Sequence, residues 1–203
     1  MAFKEIREER LSKTEKLLNQ VKEIIDEYAE EIAKLNIEIL EQDKIDWFNY
    51  TEEYLDIIYN ALEEVYSITL DFIRDVYNIE PIDEEITEND INNLTYKKDG
   101  LNLKQRILNH FNDYKENKPN KERLLYDFMQ ILNTEAMCVK NNLIKNKIKE
   151  EFEYGIIEDS NCCEVCSEYV SAGPIILDDI EEPPYHPNCE CFITYYSSSE
   201  IED

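Results

Sequence analysis

The sequence predicts a mainly α-helical protein with long N-terminal helices and a small α+β zinc-binding module at the C-terminus. Three observations predict it. Only three glycines occur in 203 residues, at 100, 155 and 173, while Leu, Ile, Glu and Lys dominate; that composition suits helices better than a turn-rich β fold. Apolar residues recur at helical spacing through most of the first 150 positions. Five of the six cysteines and one of the two histidines fall within residues 162–191.

The elements follow in order. Residues 4–45 read as one long amphipathic helix, with Leu17, Val21, Ile24, Tyr28, Ile32, Leu35 and Ile39 at steps of three or four. Such a stripe serves an intramolecular hairpin or a coiled coil between copies. Residues 46–78 form a second helix whose broad apolar face includes Trp47, Tyr50, Tyr54, Leu55, Ile58, Leu62 and Val65. Those rings fit a core or an interface. Residues 1–80 are thus a helical region suited to assembly contacts.

The pattern stops at Glu80-Pro81, because proline disfavours helix at the residue before it. Residues 81–120 read as a polar linker with a short helix near 101–115, and His110 within it reads as an ordinary surface or core residue. A strong helix follows over 121–152, with Asn120 as its start signal and Gly155 as its stop. Cys138 on this helix reads as a small buried apolar side chain. Beyond it, β-branched and aromatic pieces at 155–157, 174–177 and 192–196 suggest short strands. Gly173 is expected to supply a turn with positive φ. So short a segment buries little surface alone, and a metal would supply what its core lacks. Residues 121–203 are therefore grouped as one C-terminal domain.

The net charge is -26 and unevenly spread. Residues 151–203 hold 14 acids and no Lys or Arg, residues 1–90 hold 26 acids against 9 bases, and residues 91–150 carry a basic excess of 5. So acidic a surface repels phosphates, so sequence-specific nucleic-acid binding is not expected. No signal-peptide pattern or long apolar run is visible, so synthesis in a reducing cytoplasm without membrane insertion is expected.

The cysteine cluster carries the chemistry. Cys163-x2-Cys166 is followed, after nineteen intervening residues, by His186-x2-Cys189-x-Cys191. Thiolate and imidazole are preferred zinc ligands, and a closed structural site takes four. Five candidates compete for those places: Cys163, Cys166, His186, Cys189 and Cys191. In an extended strand Cys189 and Cys191 share a face, which would leave His186 beside the site rather than in it. Cys162, adjacent to Cys163, is expected to point elsewhere. Pro183, Pro184 and Pro187 stiffen the approach to the second ligand pair. A catalytic zinc of the deaminase type would need H-x-E, whereas His186 is followed by Pro187-Asn188. A structural ion and no catalysis are expected.

Asp159-x3-Cys163-x2-Cys166, Gly173 and His186-Pro187-Asn188-Cys189-x-Cys191, with Thr134-Glu135 upstream, resemble the C-terminal signature of tailed-phage minor head proteins. This is the head-morphogenesis family named after the F protein of phage Mu, and the resemblance covers about residues 121–196. Three positions depart from its pattern: Cys162 replaces Thr, Glu164 replaces Pro, and Glu190 replaces the Arg between the last two cysteines. The resemblance implies a virion component in the capsid interior or at the portal vertex. Its partners would be portal or capsid proteins, and it would support head morphogenesis, DNA packaging or ejection. Self-association through the N-terminal helices is a further expectation. Two rival readings of the same chain are an acidic DNA mimic directed at a host protein and a zinc-dependent enzyme.

Overall fold

The computed structural model describes residues 2–42, 45–80, 87–97, 99–158, 164–170, 173–186 and 189–202. Helices dominate, as the composition implies. Helix α1 spans Phe3–Leu40, α2 Trp47–Tyr77, α3 Glu88–Leu94, α4 Leu103–Glu116 and α5 Lys121–Ile148. Strands β1 (Tyr154–Glu158), β2 (Ile175–Ile176) and β3 (Phe192–Tyr196) follow, and a short α6 covers Ser198–Ile201.

The helix ends carry chemical punctuation. Asn78 closes α2 with φ 56°, the left-handed conformation that asparagine tolerates at a helix end. Thr87 and Asp90 form a reciprocal capping box on α3, and Asn102 and Gln105 do the same on α4. Asn120 accepts from the Arg123 N–H at 2.8 Å and starts α5, as its position in the sequence suggests.

The apolar stripes of α1 and α2 turn inward. Leu17, Val21, Ile25, Ile32, Leu35 and Ile39 of α1 meet Tyr54, Ile58, Leu62 and Val65 of α2 in a single core. That core continues through Ile107 and Phe111 of α4 and Leu124, Phe128, Leu132 and Val139 of α5. Tyr54 stacks on Phe128 with ring centroids 3.8 Å apart, and Trp47 packs against Phe111 at 4.8 Å. Aromatic pairs of this kind add about 0.5–1.5 kcal/mol each to the area they bury. Trp47, Tyr50, Tyr54, Phe72 and Tyr77 of α2 therefore fill the interior of the chain.

The strands form an antiparallel sheet in the order β2-β1-β3. Tyr154 pairs with Tyr196 and Glu158 with Phe192 across β1 and β3. An unprotected edge would expose the outer backbone of β3. Here α1 and α2 cover it: the Tyr195 N–H donates to the Tyr77 hydroxyl at 3.4 Å, and Arg10 donates to the Tyr195 carbonyl.

Two glycine expectations need correction. Gly155 does not stop α5, which ends at Ile148; it lies inside β1. A Cβ there would meet Ile180 Cδ1 and Ile193 Cγ2 at 2.7 Å, so a larger residue would force these side chains to shift. The positive φ belongs to Gly100, at 74°, and not to Gly173.

Candidate metal centre

Three of the five candidate ligands converge. Cys166, His186 and Cys189 place one ligand atom each within 4.8 Å of one another. Cys166 Sγ lies 3.0 Å from His186 Nε2 and 3.6 Å from Cys189 Sγ. Cys191 is fully buried in the same thiol cluster. The group can hold a metal ion. Cys163 and its neighbour Cys162, with Asp159, Pro187 and Asn188 of the motif, lie outside the described residues.

Bond lengths test the fit. Two sulfurs bound at about 2.3 Å to a tetrahedral zinc stand about 3.8 Å apart. The Cys166–Cys189 separation of 3.6 Å matches this spacing. The Cys166–His186 pair is tighter than the ~3.5 Å that a tetrahedron sets, and a small turn of the imidazole would accommodate an ion. Two cysteines and a histidine, with a third cysteine beside them, form a donor set suited to zinc.

Local structure explains the convergence. Cys166 opens a single 3-10 turn, Cys166–Glu168, in which the Tyr169 N–H donates to the Cys166 carbonyl at 2.9 Å. Tyr169 then stacks on Tyr185 with ring centroids 4.0 Å apart and planes 10° apart. That stack joins the Cys166 turn to the residue before His186. On the other side the Cys189 N–H donates to the His186 carbonyl at 3.1 Å, closing a turn that brings both side chains to one point. Cys191 precedes β3 directly and ties the cluster to the sheet.

Helix α5 holds the approach segment. Lys145 pairs with Glu182, and Asn141 donates to the Pro183 carbonyl at 3.4 Å. The Pro183–Pro184 peptide is cis. Helix α1 reaches the cluster too, because Lys22 pairs with Glu190 at 2.9 Å. The acid that stands where the resemblance has arginine is thereby matched to a base of this chain.

The surroundings of Cys189 favour its thiolate. A side-chain hydrogen bond from Cys191 lowers the Cys189 pKa well below the ordinary thiol range, against the opposing effect of burial. The Tyr185 and Cys191 backbones and the Cys166 thiol add to the lowering. A metal ligand must be deprotonated, so this environment prepares Cys189 for coordination. Lys140 of α5 is wholly buried, and burial pushes its amine pKa down to about 7, with Cys189, Cys191 and Glu190 opposing.

The other flagged residues lie elsewhere. His110 sits on α4 with Nδ1 3.5 Å from the Asp127 carboxylate. Cys138 is buried on α5, as a small apolar side chain would be. Glu135, of the Thr134-Glu135 pair, is fully buried and bound by Arg106 and by the Tyr96 N–H at 2.8 Å. Sequence reasoning missed Lys22, Lys140 and the Tyr169–Tyr185 stack. Only the tyrosines gave any signal, as aromatics close to candidate ligands.

No protein-family model matches the chain, and neither does any curated protein or solved structure. Among the described residues no helix is long and apolar enough to cross a membrane.

Proposed function

We propose that the chain is a structural minor head protein of a tailed phage whose C-terminal module is closed by a structural zinc ion. One observation carries this reading: Cys166, from the first half of the motif, meets His186 and Cys189, from the second half, at a single point. The H-P-N-C-x-C order that carries the resemblance is thus also the order that builds a metal cage. The fourth ligand is Cys163 or Cys191.

The zinc acts in folding and not in catalysis. Its nearby acid, Glu190, is engaged by Lys22 and does not stand as a general base. The helical body supplies the surface for portal or capsid partners, and its acidity keeps packaged DNA from adhering.

Two measurements test the reading. Metal analysis of the purified protein is expected to find one zinc per chain, lost in Cys166→Ser and Cys189→Ser. Quantitative mass spectrometry of DNA-filled particles is expected to find the chain at a copy number near that of the portal. Absence from particles, with abundance in infected lysate, would sink the virion role and favour an acidic DNA mimic acting on a host protein. Absence of zinc would sink the metal role.

A further inference from the structure

Helices α4 and α5 meet around a cavity of about 180 Å³ that shares no residue with the thiol cluster. Arg106 and His110 line it from α4, one turn apart, and Asp127, Gln130 and Thr134 line it from α5 at helical spacing. Two helices packed for stability alone would put apolar side chains in such a seam.

One wall is closed on itself. Arg106 pairs with Glu135 and Asp99 and donates to the Tyr96 and Leu101 carbonyls. The second Glu135 oxygen accepts from the Tyr96 N–H at 2.8 Å.

The other wall is open. Tyr114 donates to Asp127 Oδ2 at 2.6 Å, while Asp127 Oδ1 has no partner among the described residues. His110 turns Nδ1 toward the same carboxylate at 3.5 Å, which leaves Nε2 as an acceptor. Gln130 donates through Nε2 to the Tyr126 hydroxyl at 2.5 Å, which leaves its carbonyl oxygen open. The Thr134 hydroxyl makes no hydrogen bond among the described residues, not even back to its own helix. All four open atoms can accept hydrogen bonds.

The cavity also holds surplus negative charge. Asp99, Asp127 and Glu135 line it against the single guanidinium of Arg106. With Glu135 protonated, two carboxylates still face one cation. Arg123 does not line the cavity; it comes within 3.6 Å of Asp127 but pairs with Asp113. Open acceptors and surplus negative charge together select a cation that donates several hydrogen bonds. An anion would find no open donor there but the Thr134 hydroxyl. A cavity of about 150 Å³ holds benzene, so a ligand of about five or six heavy atoms fits this one.

We infer that the α4–α5 cavity is a binding site for a small primary amine. Its ammonium pairs with Asp127, and His110, Gln130 and Thr134 supply acceptors for its other N–H groups. Arg106 and Glu135 are positioning residues that hold the opposite wall. The Thr134-Glu135 pair thereby gains a role, one residue facing the ligand and the next fixing the frame. The site is independent of the metal centre and of the head-protein reading.

The test is an NMR titration of the full chain with butylamine at neutral pH and physiological salt, with 1-butanol and butyrate as controls. Saturable shifts are expected at the His110 ring and along the facing turns of α4 and α5. The expected dissociation constant is about 1 mM or tighter, within what five well-placed heavy atoms allow. Asp127→Asn and Thr134→Val should each weaken butylamine about 10-fold, the worth of a hydrogen bond to a charged group. The chain's net charge of -26 draws amines to its whole surface. Unsaturable shifts spread over α1 and α2, or shifts centred on another site, would therefore overturn the inference. Equal binding of butanol or butyrate would overturn it too, as would unchanged butylamine affinity in either folded variant. Thr134→Val, at a half-buried position, removes only the hydroxyl and decides alone if the asparagine chain does not fold.

Discussion

Arg10, near the start of the chain, clamps Glu200, near its end, through two charged hydrogen bonds of 2.7 and 3.0 Å. The same guanidinium caps the Tyr195 carbonyl on the outer edge of β3 and lies about 5 Å from the rings of Tyr77, Phe152 and Tyr196. One buried side chain of α1 thus secures β3, α6 and the end of α2. This contact fixes the C-terminal module to the helical body independently of any metal.

Acid should loosen that clamp. Burial alone would raise the Glu200 pKa, but Arg10 and the Ser197 N–H hold it below the ordinary value of 4.5. A carboxyl with a depressed folded-state pKa contributes stability above its unfolded pKa, and that contribution is lost as pH falls through the folded value. The melting temperature is therefore expected to drop as pH falls below about 4.5, and less steeply in Glu200→Gln. Arg10→Met should cost about 2–4 kcal/mol in urea unfolding at neutral pH, since it strands a buried carbonyl and a partly buried carboxylate.

Arg106 and Glu135 form the second buried pair. Arg106 also donates to the Tyr96 and Leu101 carbonyls, both at 2.9 Å, so it organises the segment between α3 and α4. Burial raises the Glu135 pKa, with Arg106 opposing. Arg106→Leu should cost about 3–5 kcal/mol, because it leaves a buried carboxylate without its cation. Protonation relieves an unmatched carboxylate, so the cost should be smaller at pH 5 than at pH 8. The double change Arg106→Leu with Glu135→Leu should recover most of the loss in the same unfolding assay; an additive double mutant would refute the pairing.

The long helices were legible because their cores repeat at 3.6-residue spacing, and α1, α2 and α5 appear within a few residues of where that spacing puts them. Helix α3 was not, because its apolar residues are few and its sequence reads as a loop. Its start signal, Thr87 with Asp90 three residues on, was nonetheless present. Gly155 misled because glycine stops helices and also permits close packing in strands, and only the fold distinguishes the two. The metal cluster was visible as a spacing of ligand types. Its support from Lys22 and Lys145 was not, because those lysines lie 168 and 37 residues away in sequence from Glu190 and Glu182, the acids they pair with.

Gly155 makes a sharp test of the sheet. A methyl group at this position meets Ile180, Ile193 and Leu177 at 2.7–2.9 Å. Gly155→Ala should destabilise the chain by about 1–3 kcal/mol, the usual cost of overpacking a core. Hydrogen exchange is expected to quicken in β1 and β3 while α2 and α5 keep their protection. An alanine chain as stable as wild type would show that the two isoleucines move aside at no cost.

The Lys22–Glu190 pair links α1 to the segment between Cys189 and Cys191, and both side chains are partly exposed. Its worth is therefore modest, no more than about 1 kcal/mol. Glu190→Arg, which installs the residue the resemblance carries there, would set like charges face to face. It should lower stability slightly and speed zinc release to a chelator. Adding Lys22→Glu restores opposite charges and should return both quantities toward wild type. Screening by molar salt should shrink the effect, since the pair is within reach of solvent ions. A Glu190→Arg chain that releases zinc at the wild-type rate, in low and high salt alike, would show that α1 does not brace that segment through this contact.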